Sequence, residues 1–127
     1  VSLTEAYLDH PALRVRDLAP LVDFFSDVLG MTVVKIDGDP EAPKQVWLLG
    51  GVQLTLDETV GEGTGALDHL GLICSDVEAA IRGAEAHGAT PDPRGRVWWR
   101  LPGGLVLEFL PERGNAVATA RALDPRA

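Results

Sequence analysis

Two histidines stand at matching places in this chain. Leu8-Asp9-His10 near the start returns as Leu67-Asp68-His69, an offset of 69 − 10 = 59, close to half of the 127 residues. The small residue two after each His (Ala12, Gly71), the next Leu (Leu13, Leu72) and an Asp seven after each His (Asp17, Asp76) match as well. A second pair follows two Gly-Gly steps: Gln53 after Gly50-Gly51 and Glu108 after Gly103-Gly104, at 108 − 53 = 55. Two imidazoles, a carboxylate and an amide oxygen form a donor set for a divalent ion. Imidazole suits Zn, Ni, Fe and Co, and carboxylate with open water positions suits an octahedral catalytic centre. A lone strand histidine is more often structural than a ligand. The repeat-related pairing sets these two apart. A Glu among Leu105, Val106, Leu107 and Phe109 is costly unless it is paired or bound. The plainer alternative is a scaffold that has kept its shape without a metal.

Such residues need elements to aim them, and the repeat says that one supersecondary unit occurs twice. Leu8 to Val15 reads as a strand with His10, Ala12 and Arg14 on one face and Leu13 and Val15 on the other. Asp17 stands where a helix N-cap belongs, and the apolar spacing from Leu18 to Leu29 predicts an amphipathic helix ended by Gly30. Strands follow at Met31 to Ile36, Gln45 to Leu49 and Val52 to Leu56, with Asp37 to Lys44 expected as a loop. Thr59 to Gly65 reads as a linker. The second unit repeats the order. It has a strand at Ala66 to Cys74, then a helix capped by Asp76 and stopped by Gly88. Thr90 to Gly95 reads as a loop or a short edge strand, before strands at Arg96 to Leu101 and Leu105 to Leu110. A last short helix is expected at Ala116 to Leu123, while Val1 to Tyr7 carries no pattern.

The expected fold is therefore α+β. Two βαβββ modules, at about 8–58 and 66–112 of a single 1–127 domain, form a curved, partly closed mixed sheet around a metal cavity. In each strand with a candidate polar residue the opposite face is apolar and suits a helix. His10, Gln53, His69 and Glu108 would line the cavity, and parity turns Trp98 and Arg100 toward it. Cys74 faces the helix as core, and His87 lies at a helix end.

Composition is that of an ordinary globular chain, at 46% hydrophobic and 24% charged. A net charge of −8 argues against nucleic acid or an anionic membrane as partner. One cysteine excludes an internal disulfide and fits a reducing compartment. No apolar run approaches the roughly 18 residues of a membrane span. Nor does the N-terminus read as a signal peptide, so cytoplasm is expected.

These motifs are similar to those of the vicinal oxygen chelate superfamily, which includes glyoxalase I, methylmalonyl-CoA epimerase, extradiol dioxygenases, fosfomycin-resistance enzymes and bleomycin-binding proteins. The resemblance runs over about residues 8 to 112. It is carried by Leu8-Asp9-His10 with Leu13-Arg14-Val15 and Asp17-Leu18, then Phe24-Phe25 through Leu29-Gly30-Met31. Val52-Gln53-Leu54, Leu67-Asp68-His69 and Gly104-Leu105-Val106-Leu107-Glu108 complete it. It implies metal ligands at His10, Gln53, His69 and Glu108, holding one divalent ion (Zn, Ni, Co, Mn or Fe).

It further implies a metal-dependent lyase or isomerase of the glyoxalase I or methylmalonyl-CoA epimerase type. A proton is moved next to a metal-chelated pair of oxygens on a small-molecule substrate, with Glu108 as the base. An epimerase needs a second base, for which Glu41 and Asp39 are candidates. Arg14 matches the arginine that helps hold glutathione in glyoxalase I. Trp98 and Arg100 are the further substrate-binding candidates. The usual Asp-Pro-Asp-Gly turn is Leu101-Pro102-Gly103-Gly104 here, and Asp57 stands where glyoxalases have asparagine. A homodimer is expected. The alternatives are an Fe(II) extradiol dioxygenase, against which Gln53 speaks, and a non-catalytic antibiotic-binding resistance protein.

Overall fold

The computed structural model describes residues 3–28, 31–49, 51–61, 66–102 and 104–123. The expected helix end at Leu29-Gly30, Gly50, most of the linker and Gly103 lie outside them. The chain divides into two compact units, residues 10–68 and residues 1–9 with 69–127. The fold class is α+β, and each unit builds a mixed four-stranded sheet.

In the unit of residues 10–68 the chain runs from β1 (Ala6–Val15, from His10 onward) through α1 (Leu18–Asp23) and a π-helical turn (Phe24–Val28). It continues into β2 (Val33–Asp39), β3 (Ala42–Leu48) and β4 (Val52–Leu56). The sheet order is β2-β3-β4-β1, with β1 parallel to β4 and the other pairs antiparallel. Val15, Leu18, Val46, Leu48 and Leu54 form its core, with Leu13, Val22 and Phe25 packed against them. Val46 and Leu54 are cross-strand partners, each 1% exposed. Each such side chain contributes about 1.5–3 kcal/mol by leaving water.

Three expectations for this unit need correction. The Asp37 to Lys44 loop is a hairpin whose turn is only Pro40-Glu41. Gly38 takes φ +91° at a register shift, the bulge that makes glycine necessary there. Pro43 is tolerated because β4 pairing begins only at Gln45, so no donor is required of it on that side. Next, the helix does not stay α: it widens to π at Phe24. Apolar spacing reports which face is buried, not how many residues make each turn. Finally, Asp17 occupies the N-cap position but its side chain caps nothing. Pro20 stands third in the helix, where a capping carboxylate would seek an N–H, and proline has none.

The other unit holds β5 (Ala66–Cys74, from His69 onward), α2 (Val77–Ala86), β6 (Thr90–Pro91), β7 (Trp98–Arg100), β8 (Val106–Pro111) and α3 (Ala116–Ala122). Its order is β5-β8-β7-β6, with β5 parallel to β8. Asp76 caps α2 by accepting from the Ala79 N–H at 3.0 Å. Gly88 ends that helix at φ +88°. Cys74, Ile81, Ala84, Ala89, Trp99, Leu107 and Phe109 form the core. The lead-in before β1, patternless in sequence, is tied down here. The Ser75 N–H donates to the Glu5 carbonyl at 2.8 Å, the Asp76 N–H donates to Thr4 Oγ1 at 2.9 Å, and Arg121 of α3 pairs with Glu5 at 2.5 Å. None of the described helices is long and apolar enough to cross a membrane.

Candidate metal centre

Strand alternation decides which side chains leave the core face. In the unit of residues 10–68, Leu13 and Val15 face its core, so His10, Ala12 and Arg14 take the other side. On β4, Val52 and Leu54 face the core, so Gln53 and Thr55 share that other side. The parallel register sets Ala12 beside Gln53 and Arg14 beside Thr55. His10 lies two residues before Ala12 on the same face. Both candidate ligands are buried, His10 at 6% and Gln53 at 5% exposure. The Gln53 side-chain oxygen is buried without a hydrogen-bond partner among the described residues. A buried amide oxygen left unpaired costs about 1–3 kcal/mol, so this acceptor is suited to an electrophile.

Arg14 is engaged by two carboxylates. Its Nη1 lies 3.4 Å from Asp57 and its Nε 3.8 Å from Asp68. Asp57 also accepts from the Thr59 hydroxyl and N–H. Those hydrogen bonds, helped by Arg14, hold its carboxyl below the usual range. Asp39 accepts from the Glu41 N–H at the exposed hairpin turn. It therefore serves the turn at the end of β2. One site-face residue escaped notice in the sequence. Trp47 sits directly opposite Gln53, and the Lys35 ammonium lies 4.8 Å from its ring centroid. The signal was present, because the short connection after Leu48 fixes Trp47 against Gln53 once Leu48 pairs with Val52.

In the other unit, Leu70, Leu72 and Cys74 pack on the core, which turns His69 the other way. Glu108 lies beside Gly71 on β5 and opposite Trp98 on β7. Having no side chain, Gly71 does not crowd the carboxylate. His69 is 4% exposed, and its Nε2 stands 3.8 Å from Glu108 Oε1. That separation is too long for a hydrogen bond and suits two donors converging on a third partner. Trp98 meets the His69 ring edge to face, with centroids 4.6 Å apart and planes at 75°. Arg100, expected to meet substrate, pairs with Asp92 at 3.3 Å and donates to the Gly104 carbonyl at 3.1 Å. Asp92 is the second residue the sequence did not single out. Its side chain is 3% exposed, and it also pairs with Arg94 at 3.5 Å. Cys74 is core as expected, and burial pushes its thiol up. His87 is the exposed C-cap of α2.

Each unit thus presents one imidazole and one oxygen donor on its sheet face, ligand types that suit a divalent ion. A family model described as the Glyoxalase/Bleomycin resistance protein/Dioxygenase superfamily matches residues 7–109. The chain belongs to this superfamily. No curated protein matches it. Among solved structures it is similar to methylmalonyl-CoA epimerase from Mycobacterium tuberculosis, at 22% identity and a TM-score of 0.59, covering 93% of this chain and 95% of that one. A Streptomyces coelicolor methylmalonyl-CoA epimerase variant in complex with 2-nitronate-propionyl-CoA is also similar, at 17% identity and a TM-score of 0.58, covering 87% of this chain and 96% of that one. An extradiol ring-cleaving dioxygenase from B. fuscum is 24% identical with a TM-score of 0.62, covering 84% of this chain but only 32% of that one. Likeness at these identities establishes the glyoxalase-type fold.

Proposed function

We propose that this protein is a metal-dependent lyase or isomerase of the glyoxalase I or methylmalonyl-CoA epimerase type. His10, Gln53, His69 and Glu108 are the proposed ligands of one divalent ion. The observation that carries the reading is the pair His69 and Glu108, which stand 3.8 Å apart on one sheet face. The unpartnered buried oxygen of Gln53 supports the second half of the set. When bound, the ion would polarise a neighbouring pair of substrate oxygens and so acidify the adjacent C–H. The protein does the rest. Glu108, part-exposed at 19% of its side chain, takes the proton and returns it. Gln53 has no proton affinity to compete with it, so proton traffic is one-sided, which fits the glyoxalase I type; the epimerase type needs a second base on the opposite face. Trp98 offers an apolar wall, and Arg14 and Arg100, each already paired with carboxylates, complete the proposed substrate-binding set.

The test begins with metal. Protein purified without chelators should hold close to one divalent ion per chain, and His10→Ala or His69→Ala should abolish it. Metal-free protein with no affinity for Zn, Ni, Co, Mn or Fe sinks the reading and leaves a non-catalytic binding protein. Glu108→Gln should keep most of the metal and lose on the order of 10²–10⁴ in turnover, the range for removing a general base. Exchange of the substrate C–H with solvent deuterium reads the same step directly. Wild-type exchange rates in Glu108→Gln would make Glu108 a ligand only. Ring cleavage of catechols after anaerobic Fe(II) loading would replace the isomerase by a dioxygenase.

A further inference from the structure

Asp92 has no part in the proposed chemistry, yet it is a buried carboxylate among the described residues. It organises the loop between β6 and β7. Its Oδ1 accepts the Arg94 N–H at 3.0 Å, and its own N–H donates to the Trp98 carbonyl at 3.0 Å. The same carboxylate pairs with the Arg94 and Arg100 guanidiniums. Arg94 is thereby held with its guanidinium carbon 4.9 Å from the centroid of the Trp98 ring. Trp98 in turn lies edge to face on the His69 imidazole and opposite Glu108. Each link is a contact between neighbours, and together they run from a buried charge to a candidate ligand.

We infer that Trp98, pinned by Arg94 and Asp92, is a positioning residue that fixes the rotation of the His69 ring for metal binding. The reasoning is steric and electrostatic. A histidine ring on a strand can turn about its last side-chain torsion, and that torsion is broad. A ligand nitrogen must instead be aimed, and residues outside the ligand set commonly do this. The Arg94 guanidinium over the indole restrains its drift from His69, because cation–π attraction ties the Trp98 ring to Arg94. Arg94 cannot drift because a desolvated carboxylate holds it, with stronger attraction than in water. The other unit carries a matching arrangement, Lys35 on Trp47 opposite Gln53. A cation-covered tryptophan across from the acidic or amide candidate is thus a recurring part of this chain.

The inference rests on the metal reading, and the experiment separates the two. Zinc affinity is measured by chelator competition for wild type, Trp98→Phe, Trp98→Leu and Arg94→Met. Trp98→Leu should weaken affinity by about 10–100-fold, the range for losing a group that orients a ligand. Trp98→Phe should recover most of the loss, since it restores a ring against His69. Arg94→Met keeps the apolar stem and should weaken affinity in the same direction by less. Co(II) quenching of tryptophan fluorescence is a second readout, independent of the zinc affinities. Trp98 should carry most of the quenching, which Trp98→Phe should therefore remove. Wild-type affinity in Trp98→Leu, or full quenching in Trp98→Phe, overturns the positioning role and leaves the metal site standing. No zinc or cobalt affinity in wild type overturns both.

Discussion

A single buried atom can say what a site wants. Gln53 Oε1 is buried and unpartnered, so Gln53→Leu of similar volume removes an acceptor that nothing in its own unit satisfies. Replacing such a group by an apolar one is close to neutral or stabilising. Gln53→Leu should therefore keep or raise the melting temperature of the metal-free protein while weakening zinc affinity. A melting temperature several degrees lower would mean that the amide is needed by the fold instead. Cys74 makes the opposite statement. It is 2% exposed beneath α2, and burial raises its thiol above the ordinary value. Thiolate, the reactive form, is thus scarce at neutral pH. A thiol reagent should leave the native protein unmodified for hours and label Cys74 at once in denaturant. Rapid labelling of native protein would show that the segment over it opens readily.

At the level of elements, the two helices that follow the two histidines test the same position twice. Asp17 and Asp76 are repeat-related, and so are Pro20 and Ala79, each at the offset 69 − 10 = 59. Asp76 receives an N–H from Ala79, whereas Asp17 has no such donor at Pro20. Asp76→Ala should cost about 1 kcal/mol of stability, and Asp17→Ala less than about 0.5 kcal/mol, the range of ordinary surface changes. Urea melts of the two variants decide it, and equal losses would contradict the proline argument. A pH effect belongs here too. Asp57 has its folded carboxyl lowered by Thr59 and Arg14. Its stabilising contribution is present above the unfolded carboxylate value and is lost as pH falls through the folded one. Asp57→Asn should flatten the fall in melting temperature below about pH 4, near the ordinary aspartate value. What was legible in the sequence follows from the same distinction between local and distant causes. The faces of His10, Gln53, His69 and Glu108 come from alternation, which neighbouring residues fix. Asp92 was not legible, because Thr90-Pro91-Asp92-Pro93 reads as loop until Arg94 and Arg100 close on it. The β2–β3 hairpin was hidden for a related reason. Gly38, Pro40 and Pro43 look like breakers, and only the strand pairing turns them into a bulge, a turn and a strand start.

For the whole molecule, the remaining question is what covers the apolar surface left outside the two cores. In the unit of residues 10–68, Phe24 is 49% exposed and Val28 64%, while Val34 on β2 is 58% exposed and Ile36 40%. β2 is the outer strand of that unit's sheet, and an outer strand with apolar side chains is a ready template for pairing. A net charge of −8 keeps copies apart at a distance, so association must come from such apolar contact. We propose that the protein is a homodimer that covers these residues. Light scattering at micromolar concentration should give twice the chain mass, with little dependence on salt. Val34→Lys with Ile36→Glu should shift the population toward single chains. If wild type scatters as one chain, the apolar surface is not a self-association face. If it is a dimer that the double variant leaves intact, the interface lies elsewhere, and Phe24→Ser with Val28→Ser is the next pair to break it.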